Sequence, residues 1–528
     1  MAANERRVMV ADRVCNGAEA FIATLGACGV DTCFANPGTS EMQLVAAIDR
    51  QPGMRAVLGL FEGVVTGAAD GYARMAEKPA VTLLHLGPGL GNGLANLHNA
   101  RRAASPVINM VGDHATYHLH FNAPLTSDAA GVARPMSDWV RVAQSPRDLA
   151  QAGAEAYVVA MAWPGQVATV IVPADHAWNG GAAPVAPRPV PLAPRAPDAA
   201  VLAAATALRA SDGPVALLLG GRALREEALA AAGRIAAATG AHLVCETFAA
   251  RVQRGTGRVA IDQLPYFAEQ AVDYLARFQT IVVCGTEPPV AFFAYPGKPG
   301  ELSPPGAQVI RLAALREDAL HALTALADAI GAPADPVGIQ PRESPPPGDR
   351  LNAHAIGAVL ADLMPAGAIV SDEALTAAAA LFDATKGAAP HDWLMVTGGA
   401  IGQGLPVAVG AAVACPARQV IALQADGSGM YTVQALWTMA RERLNVVTVI
   451  FNNASYAILN IELSRVGVQN AGPRALSMLS LDNPRLDWCA MAAGMGVPAQ
   501  RVATVDEFRD ALAQALATPG PVLIEAML

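Results

Sequence analysis

The sequence predicts an α/β protein made of three doubly wound domains, each built on a parallel sheet. Three observations carry that expectation. Short apolar runs alternate with helical patterns along the whole chain, the signature of strand–helix–strand units. Two proline-rich stretches interrupt the alternation and divide the chain into comparable thirds. The length of 528 residues suits three domains at roughly 150 residues each.

Taken in order, the first segment (1–185) has apolar runs at Val81–Leu86 and Val107–Gly112, each followed by Gly, polar or helix-start residues. Residues 183–197, APVAPRPVPLAPRAP, read as an extended connector. The second segment (186–345) has runs at Val215–Gly220, His242–Cys245 and Thr280–Cys284. Residues 332–349, APADPVGIQPRESPPPGD, repeat the proline signal. The third segment (346–528) holds Ala368–Ser371, Val420–Gln424, Val446–Phe451 and Pro521–Glu525. Ligands of doubly wound sheets sit beyond the carboxyl ends of the strands, so chemistry is expected where these runs close.

Composition narrows the class. An apolar share of 53% with 15% charged residues supports several cores. No run of 18 or more uncharged apolar residues occurs, so no spanning helix is expected. A net charge of −9 argues against a nucleic-acid footprint. The seven cysteines (Cys15, Cys28, Cys33, Cys245, Cys284, Cys415 and Cys489) form no CxxC pair, so neither a disulfide framework nor a zinc site is indicated. The leading MAANERRVMVADRV lacks an apolar signal core, and a cytoplasmic protein is the expectation.

The sharpest motif lies in the third segment. The run from Val420 closes in Asp426-Gly427-Ser428-Gly429, ahead of a helical pattern over Tyr431–Arg443. The run from Val446 closes in Asn452-Asn453-Ala454-Ser455-Tyr456. Either piece alone reads as an ordinary turn. Together, 24 residues apart and each closing a buried strand, they present one carboxylate, two amides and free backbone groups. Such hard oxygen donors suit Mg²⁺ sharing its shell with phosphate and water.

This pairing resembles the cofactor-binding motif of thiamine diphosphate enzymes. The resemblance implies Mg²⁺ on Asp426, Asn453 and the main-chain carbonyl of Ser455, with Gly427, Ser428 and Tyr456 beside the diphosphate at a helix start, where the dipole favours anions. It also implies a carboxyl in the first segment, because the aminopyrimidine becomes an internal base only when its N1′ is protonated. Glu62, in the string FEGVVTGAADGYAR, fills that place, and its apolar sequence neighbours Leu58, Leu60, Phe61 and Val64 are of the kind that raise a carboxyl pKa. For an isolated residue the plainer reading is a glutamate favoured at a helix N-terminus. The glycine-rich run 396–406 resembles the turn that bends the cofactor, with Ile401 as the bulky prop and Gly399 and Ala400 offering main-chain groups. Close helix–strand packing is the bland account of those glycines, and both can hold. Pro37, Asn92 and Thr376 complete the cofactor contacts that the resemblance implies.

Within the family, Asn36-Pro37-Gly38-Thr39-Ser40-Glu41 resembles a loop of benzoylformate decarboxylases and places Thr39 at the substrate carboxylate. His85, 23 residues after Glu62, matches their active-site histidine, a suitable proton shuttle near neutral pH. Of His114, His118 and His120, which lack the carboxylate or cysteine partners of a metal site, His114 is expected to line the pocket. The second catalytic histidine of those decarboxylases has no counterpart in Glu287–Tyr295, where Ala294 is the nearest match. Acetohydroxyacid synthases are also similar, through GPGxxN at 87–92, but 459–465 lacks their tryptophan and their longer C-terminal arm is not seen. No strong FAD signature appears in the middle segment, so FAD is not expected.

The strings FANPGTSEM and LHLGPGLGNGLANLHNARR resemble proteins described as acetolactate-synthase-like. The expectation is therefore a thiamine diphosphate- and Mg²⁺-dependent enzyme that decarboxylates a 2-oxo acid, with or without carboligation. The alternatives are an acetolactate synthase and a cofactor-binding regulatory protein without turnover. The resemblance further implies a homodimer or homotetramer with active sites at the subunit interface.

Overall fold

The computed structural model describes residues 15–528 apart from 469; the leading segment read above for a signal core lies outside them. Three sheets form, as the alternation of strands and helices predicts. The first contains β1 (Thr32–Asn36), β2 (Arg55–Leu58), β3 (Ala80–Leu84), β4 (Val107–Asp113), β5 (Trp139–Val142) and β6 (Val167–Pro173) in the order β2-β1-β3-β4-β6-β5. The second contains β7 (Val215–Leu219), β8 (His242–Cys245), β10 (Asp262–Gln263), β11 (Thr280–Cys284) and β12 (Gln308–Ala313) in the order β10-β8-β7-β11-β12. The third contains β13 (Ile369–Glu373), β14 (His391–Met395), β15 (Val420–Ala425), β16 (Val446–Asn452), β17 (Ala499–Val502) and β18 (Val522–Met527). All pairings among these strands are parallel. Helices must then cover both faces, which is why β3 and β7 are buried at every position.

Two details depart from the sequence expectation. The run Val81–Leu86 stops being a strand at Leu84, because Leu86 adopts a left-handed φ of 48° and opens the helix Leu86–Arg102. The third sheet also gains an antiparallel edge strand, β9 (Val252–Arg254), from the middle segment, pairing with β14. Three residues with a polar centre carry no periodic signal. What fixes β9 is charge: Arg251 Nε donates to Asp392 at 2.6 Å, and the buried Arg254 guanidinium lies 3.6 Å over the Phe382 ring.

Contacts divide the chain into two compact units. One takes in the chain up to Leu192 together with Thr397–Ala417 and Tyr431–Leu444; the other comprises Ala193–Val396, Arg418–Met430 and Asn445–Leu528. In the first unit the helix Glu62–Ala76 packs along the apolar helix Gly404–Ala414. Small residues make this approach: a Cβ at Gly410 would stand 1.9 Å from the Ala68 carbonyl oxygen, and one at Gly71 2.2 Å from that of Val407. The Asp and Arg of ADGYAR are structural here. Asp70 accepts from Arg74 Nε at 2.8 Å, Ser105 Oγ at 2.5 Å and Gln403 Nε2 at 3.2 Å, all buried. In the second unit one continuous core runs from Leu217 and Leu323 to Phe382, Val449 and Phe508. Among the described residues no helix is long and apolar enough to cross a membrane.

Candidate active site

In the first unit the carboxyl ends of β1, β2, β3 and β4 and the turns and helices that follow them carry six sequence-predicted residues: Pro37, Thr39, Glu62, His85, Asn92 and His114. Glu62 begins its helix directly after an extended Phe61 and is only 6% exposed. Its Oε2 accepts a hydrogen bond from Asn92 Nδ2 at 2.9 Å, so Asn92 holds the carboxyl in place. Its Oε1 lies over Gly89, where a Cβ would approach to 3.0 Å.

His85 caps the next helix and turns toward the loop that follows β1. Its Nδ1 lies 2.8 Å from Glu41 Oε2, and Glu41 is 1% exposed. Glu41 also accepts from the Gly38 amide at 2.8 Å and from Ser40 Oγ at 2.7 Å. The imidazole rests on Gly38, where a Cβ would stand 2.0 Å from Nδ1. A buried carboxylate on Nδ1 fixes the orientation of the ring, leaving Nε2 for proton exchange. The left-handed Leu86 beside it is local strain of the kind that functional turns hold. Thr39 is exposed and Pro37 half-buried on the same loop.

The sequence reading missed Glu41. Its signal is present but ambiguous: Gly38 and Glu41 form a reciprocal cap at a helical turn, and capping accounts for a glutamate at that spacing without any histidine. His114 lies two residues beyond Gly112, whose Cα faces Glu41 so closely that a Cβ would meet Oε1 at 1.8 Å. His114 Nε2 is buried without a hydrogen-bond partner, and its ring packs 5.7 Å from that of His118.

The glycine-rich turn belongs to this same unit. Asn99 grips Ala400 from both sides, donating to its carbonyl at 2.7 Å and accepting from its amide at 3.2 Å. His98 Nε2 lies 3.1 Å from the Gly398 carbonyl, and Asn96 Nδ2 donates to that of Gly402 at 3.2 Å. Gly399 and Gly402 take φ values of 72° and 92°, which favours glycine at both. Ile401 is half-buried on this clamped turn. Asn96, His98 and Asn99 were not singled out from sequence, because nothing in a helical pattern says which turn it grips.

In the second unit β15 and β16 end side by side. Asp426, 2% exposed, accepts from the Gly427 amide and from the Ala454 amide, both at 2.8 Å. Burial pushes its carboxyl up from the ordinary range, and these amides oppose that shift. The two asparagines divide their work. Asn452 is buried and donates to Glu525 at 2.7 Å, so it is structural. Asn453 is exposed, with Oδ1 accepting from the Ser455 amide at 3.0 Å. Between Asn453 and Ser455, Ala454 has a left-handed φ of 52°.

Ser428 is buried and accepts from Gln424 Nε2 at 2.5 Å. Tyr456 covers Gly427, where a Cβ would meet its ring at 2.5 Å. Thr376 is exposed on a short turn after β13, beside a left-handed Leu375, and that turn packs on the helix Ala457–Arg465. A buried carboxylate, an exposed amide oxygen and a main-chain carbonyl are a donor set suited to Mg²⁺.

Comparison with known proteins identifies the family. Residues 15–132 match the thiamine pyrophosphate enzyme N-terminal TPP binding domain, and residues 375–526 match the C-terminal TPP binding domain. The chain is 52% identical over 516 residues to IlvX of Mycobacterium tuberculosis, which carries the provisional name of acetolactate synthase large subunit; the match covers 97% of this chain and 99% of that one. It is 29% identical over 521 residues to the benzoylformate decarboxylase of Pseudomonas aeruginosa, covering 94% and 96%. The structure of a thiamine diphosphate-dependent 4-hydroxybenzoylformate decarboxylase from Rhodococcus jostii RHA1 superposes with a TM-score of 0.84 at 26% identity, covering 97% and 99%.

Proposed function

Since this chain belongs to the thiamine pyrophosphate enzyme family, we propose that it uses thiamine diphosphate and Mg²⁺ to decarboxylate a 2-oxo acid, with or without adding the product to a second carbonyl. The observation that carries this reading is that a buried Glu62 carboxyl and a Glu41-oriented His85 flank the same glycine, Gly89, where a Cβ would stand 3.0 Å from Glu62 Oε1 and 3.3 Å from His85 Cβ. The cofactor, when bound, supplies the electron sink for loss of CO₂. The chain's own residues supply orientation and protons.

With the cofactor bound, Glu62 would share a proton with its pyrimidine, while Asn92 donates to Glu62 Oε2 at 2.9 Å and holds the carboxyl in place. His85 exchanges a proton with the substrate through Nε2, Thr39 orients the substrate carboxylate, and His114 forms pocket wall. Asp426, Asn453 and the Ser455 carbonyl hold Mg²⁺. Gly427 and Ser428 would hold the diphosphate at a helix start, with Tyr456 and Thr376 as further cofactor contacts. Gly399, Ala400, Ile401 and Pro37 position the organic part of the cofactor. The chain acts in the cytoplasm as a homodimer or homotetramer, a state that a sizing measurement on the active enzyme tests.

The test is a panel of 2-oxo acids with thiamine diphosphate and Mg²⁺, read as CO₂ release and product identity. Turnover that needs both additions and is lost in Glu62→Gln supports the reading; turnover without thiamine diphosphate refutes it. The 52% identical relative favours acetolactate synthesis as a second reading. Pyruvate alone would then yield acetolactate, detected as acetoin after acid treatment, and its absence excludes that reading.

A further inference from the structure

Glu525 lies in β18 between Ile524 and Ala526 and is 0% exposed. Three neighbouring parallel strands decide what it faces. Arg501 of β17 and Ile450 of β16 both stand in register with Glu525. Side chains in register share a face of the sheet, and Asn452, two residues beyond Ile450, returns to that face. Glu525 is therefore met from both sides. One carboxylate oxygen, Oε1, accepts from Asn452 Nδ2 at 2.7 Å, and Oε2 accepts from Arg501 Nε at 2.9 Å. The Cys489 thiol hydrogen-bonds the same carboxylate.

Asn452 carries this contact on to the turn that closes β16. Its Oδ1 accepts from the Ala454 amide at 3.1 Å, and the same amide donates to Asp426 Oδ2 at 2.8 Å. One N–H is thus shared between Asn452 and a proposed metal ligand at the end of β15. Ala454 needs this hold, because its left-handed φ of 52° is a conformation that alanine disfavours. On either side of it stand the other two proposed ligands, the Asn453 amide oxygen and the Ser455 carbonyl. The backbone at Ala454 sets the direction of both.

Stability alone does not explain the carboxylate. Burying a charge in a strand costs desolvation, and apolar residues of similar volume commonly stabilise a core as well as a buried ion pair does. Arg501 is moreover half-exposed, so the cation is only partly withdrawn from water. What Glu525 uniquely supplies is an acceptor that fixes the Asn452 amide group. Without it that group is free to turn, and Oδ1 leaves the Ala454 amide.

Resting on the Mg²⁺ reading above, we propose that Glu525 is a positioning residue for the metal turn: through Asn452 it holds Ala454 left-handed, and so keeps Asn453 and the Ser455 carbonyl arranged for Mg²⁺.

The test measures, on the full-length chain, the Mg²⁺ concentration for half-maximal binding of thiamine diphosphate by fluorescence titration, beside the urea midpoint of the same chain without metal or cofactor. Glu525→Ala and Asn452→Ala are each expected to raise that concentration by about 10-fold or more, as loss of a group that orients a metal ligand does. Glu525→Gln keeps an acceptor for Asn452 Nδ2 and is expected to hold it within about threefold of wild type. Arg501→Met removes the cation but leaves the acceptor, so the urea midpoint is expected to fall while the Mg²⁺ requirement stays within about threefold. An unmoved requirement in Glu525→Ala overturns the proposal. So does a requirement that rises in all four variants in step with lost urea stability, the behaviour of a merely structural carboxylate. Asn452→Ala against Arg501→Met carries the same contrast for a Glu525→Ala chain that does not fold. A wild-type chain that binds thiamine diphosphate equally well without Mg²⁺ contradicts the Mg²⁺ reading itself, an outcome distinct from a Mg²⁺ requirement that Glu525→Ala leaves unmoved.

Discussion

Gly38 offers a way to move His85 without touching it chemically. Its backbone is extended, with φ −112° and ψ −168°, so alanine fits there without backbone strain. The added Cβ would stand 2.0 Å from His85 Nδ1, 2.2 Å from Cγ and 2.4 Å from Cε1. Ordinary contact is about 3.5 Å, so the ring has to withdraw by roughly 1.5 Å, which breaks its 2.8 Å contact with Glu41. Misplacement of about 1 Å costs on the order of 10²-fold, and a positioned acid–base group contributes about 10²–10⁴-fold. Gly38→Ala is therefore expected to lower kcat about 10²–10³-fold, on the order of 3–4 kcal/mol of barrier. The assay is steady-state CO₂ release alongside a fluorescence titration of thiamine diphosphate, whose Kd should hold within about twofold. A kcat within threefold of wild type refutes the role given to His85. Loss of cofactor binding in parallel refutes the separation of proton transfer from cofactor binding.

Other predictions probe the scaffold and the metal side. Asp426→Ala should raise the Mg²⁺ concentration for half-maximal activity by at least about 10-fold; an unchanged requirement removes Asp426 from the metal site. Gly410→Val puts side-chain atoms where even a Cβ lies 1.9 Å from a main-chain oxygen, and should cost more than about 3 kcal/mol of stability by urea unfolding; a neutral variant would show that the two helices part easily. Asp372 is buried, and burial pushes its carboxyl up to about 6. Between about pH 4 and 6 the unfolded chain ionises first, so this carboxyl costs stability as pH rises and the loss persists above pH 6. Asp372→Asn should gain on wild type by on the order of 2–3 kcal/mol between pH 4 and pH 7; a difference that stays flat across that range contradicts the burial argument.

How legible each part was follows from physical reasons. Buried parallel strands write continuous apolar runs, so Val420–Ala425 and Val446–Asn452 and the polar residues that close them could be read directly. Glu62 and His85 are singled out through the resemblance of the strings around them, not through any local pattern. Glu41 could not be placed, because its partner is 44 residues away and its local role as a cap explains it fully. The division between Asn452, tied to Glu525, and the exposed Asn453 depends on a strand 73 residues further on. The clamp of Asn96, His98 and Asn99 is likewise a matter of which helix face meets which turn.

The central claim is that Glu62 activates thiamine diphosphate. The direct measurement is the exchange rate of the cofactor's C2 proton with deuterated solvent on the loaded enzyme, by quenched-flow NMR, for wild type and Glu62→Gln. The account predicts a fall of at least about 10²-fold in the variant with the cofactor still bound, and an unchanged exchange rate on the bound cofactor would contradict it.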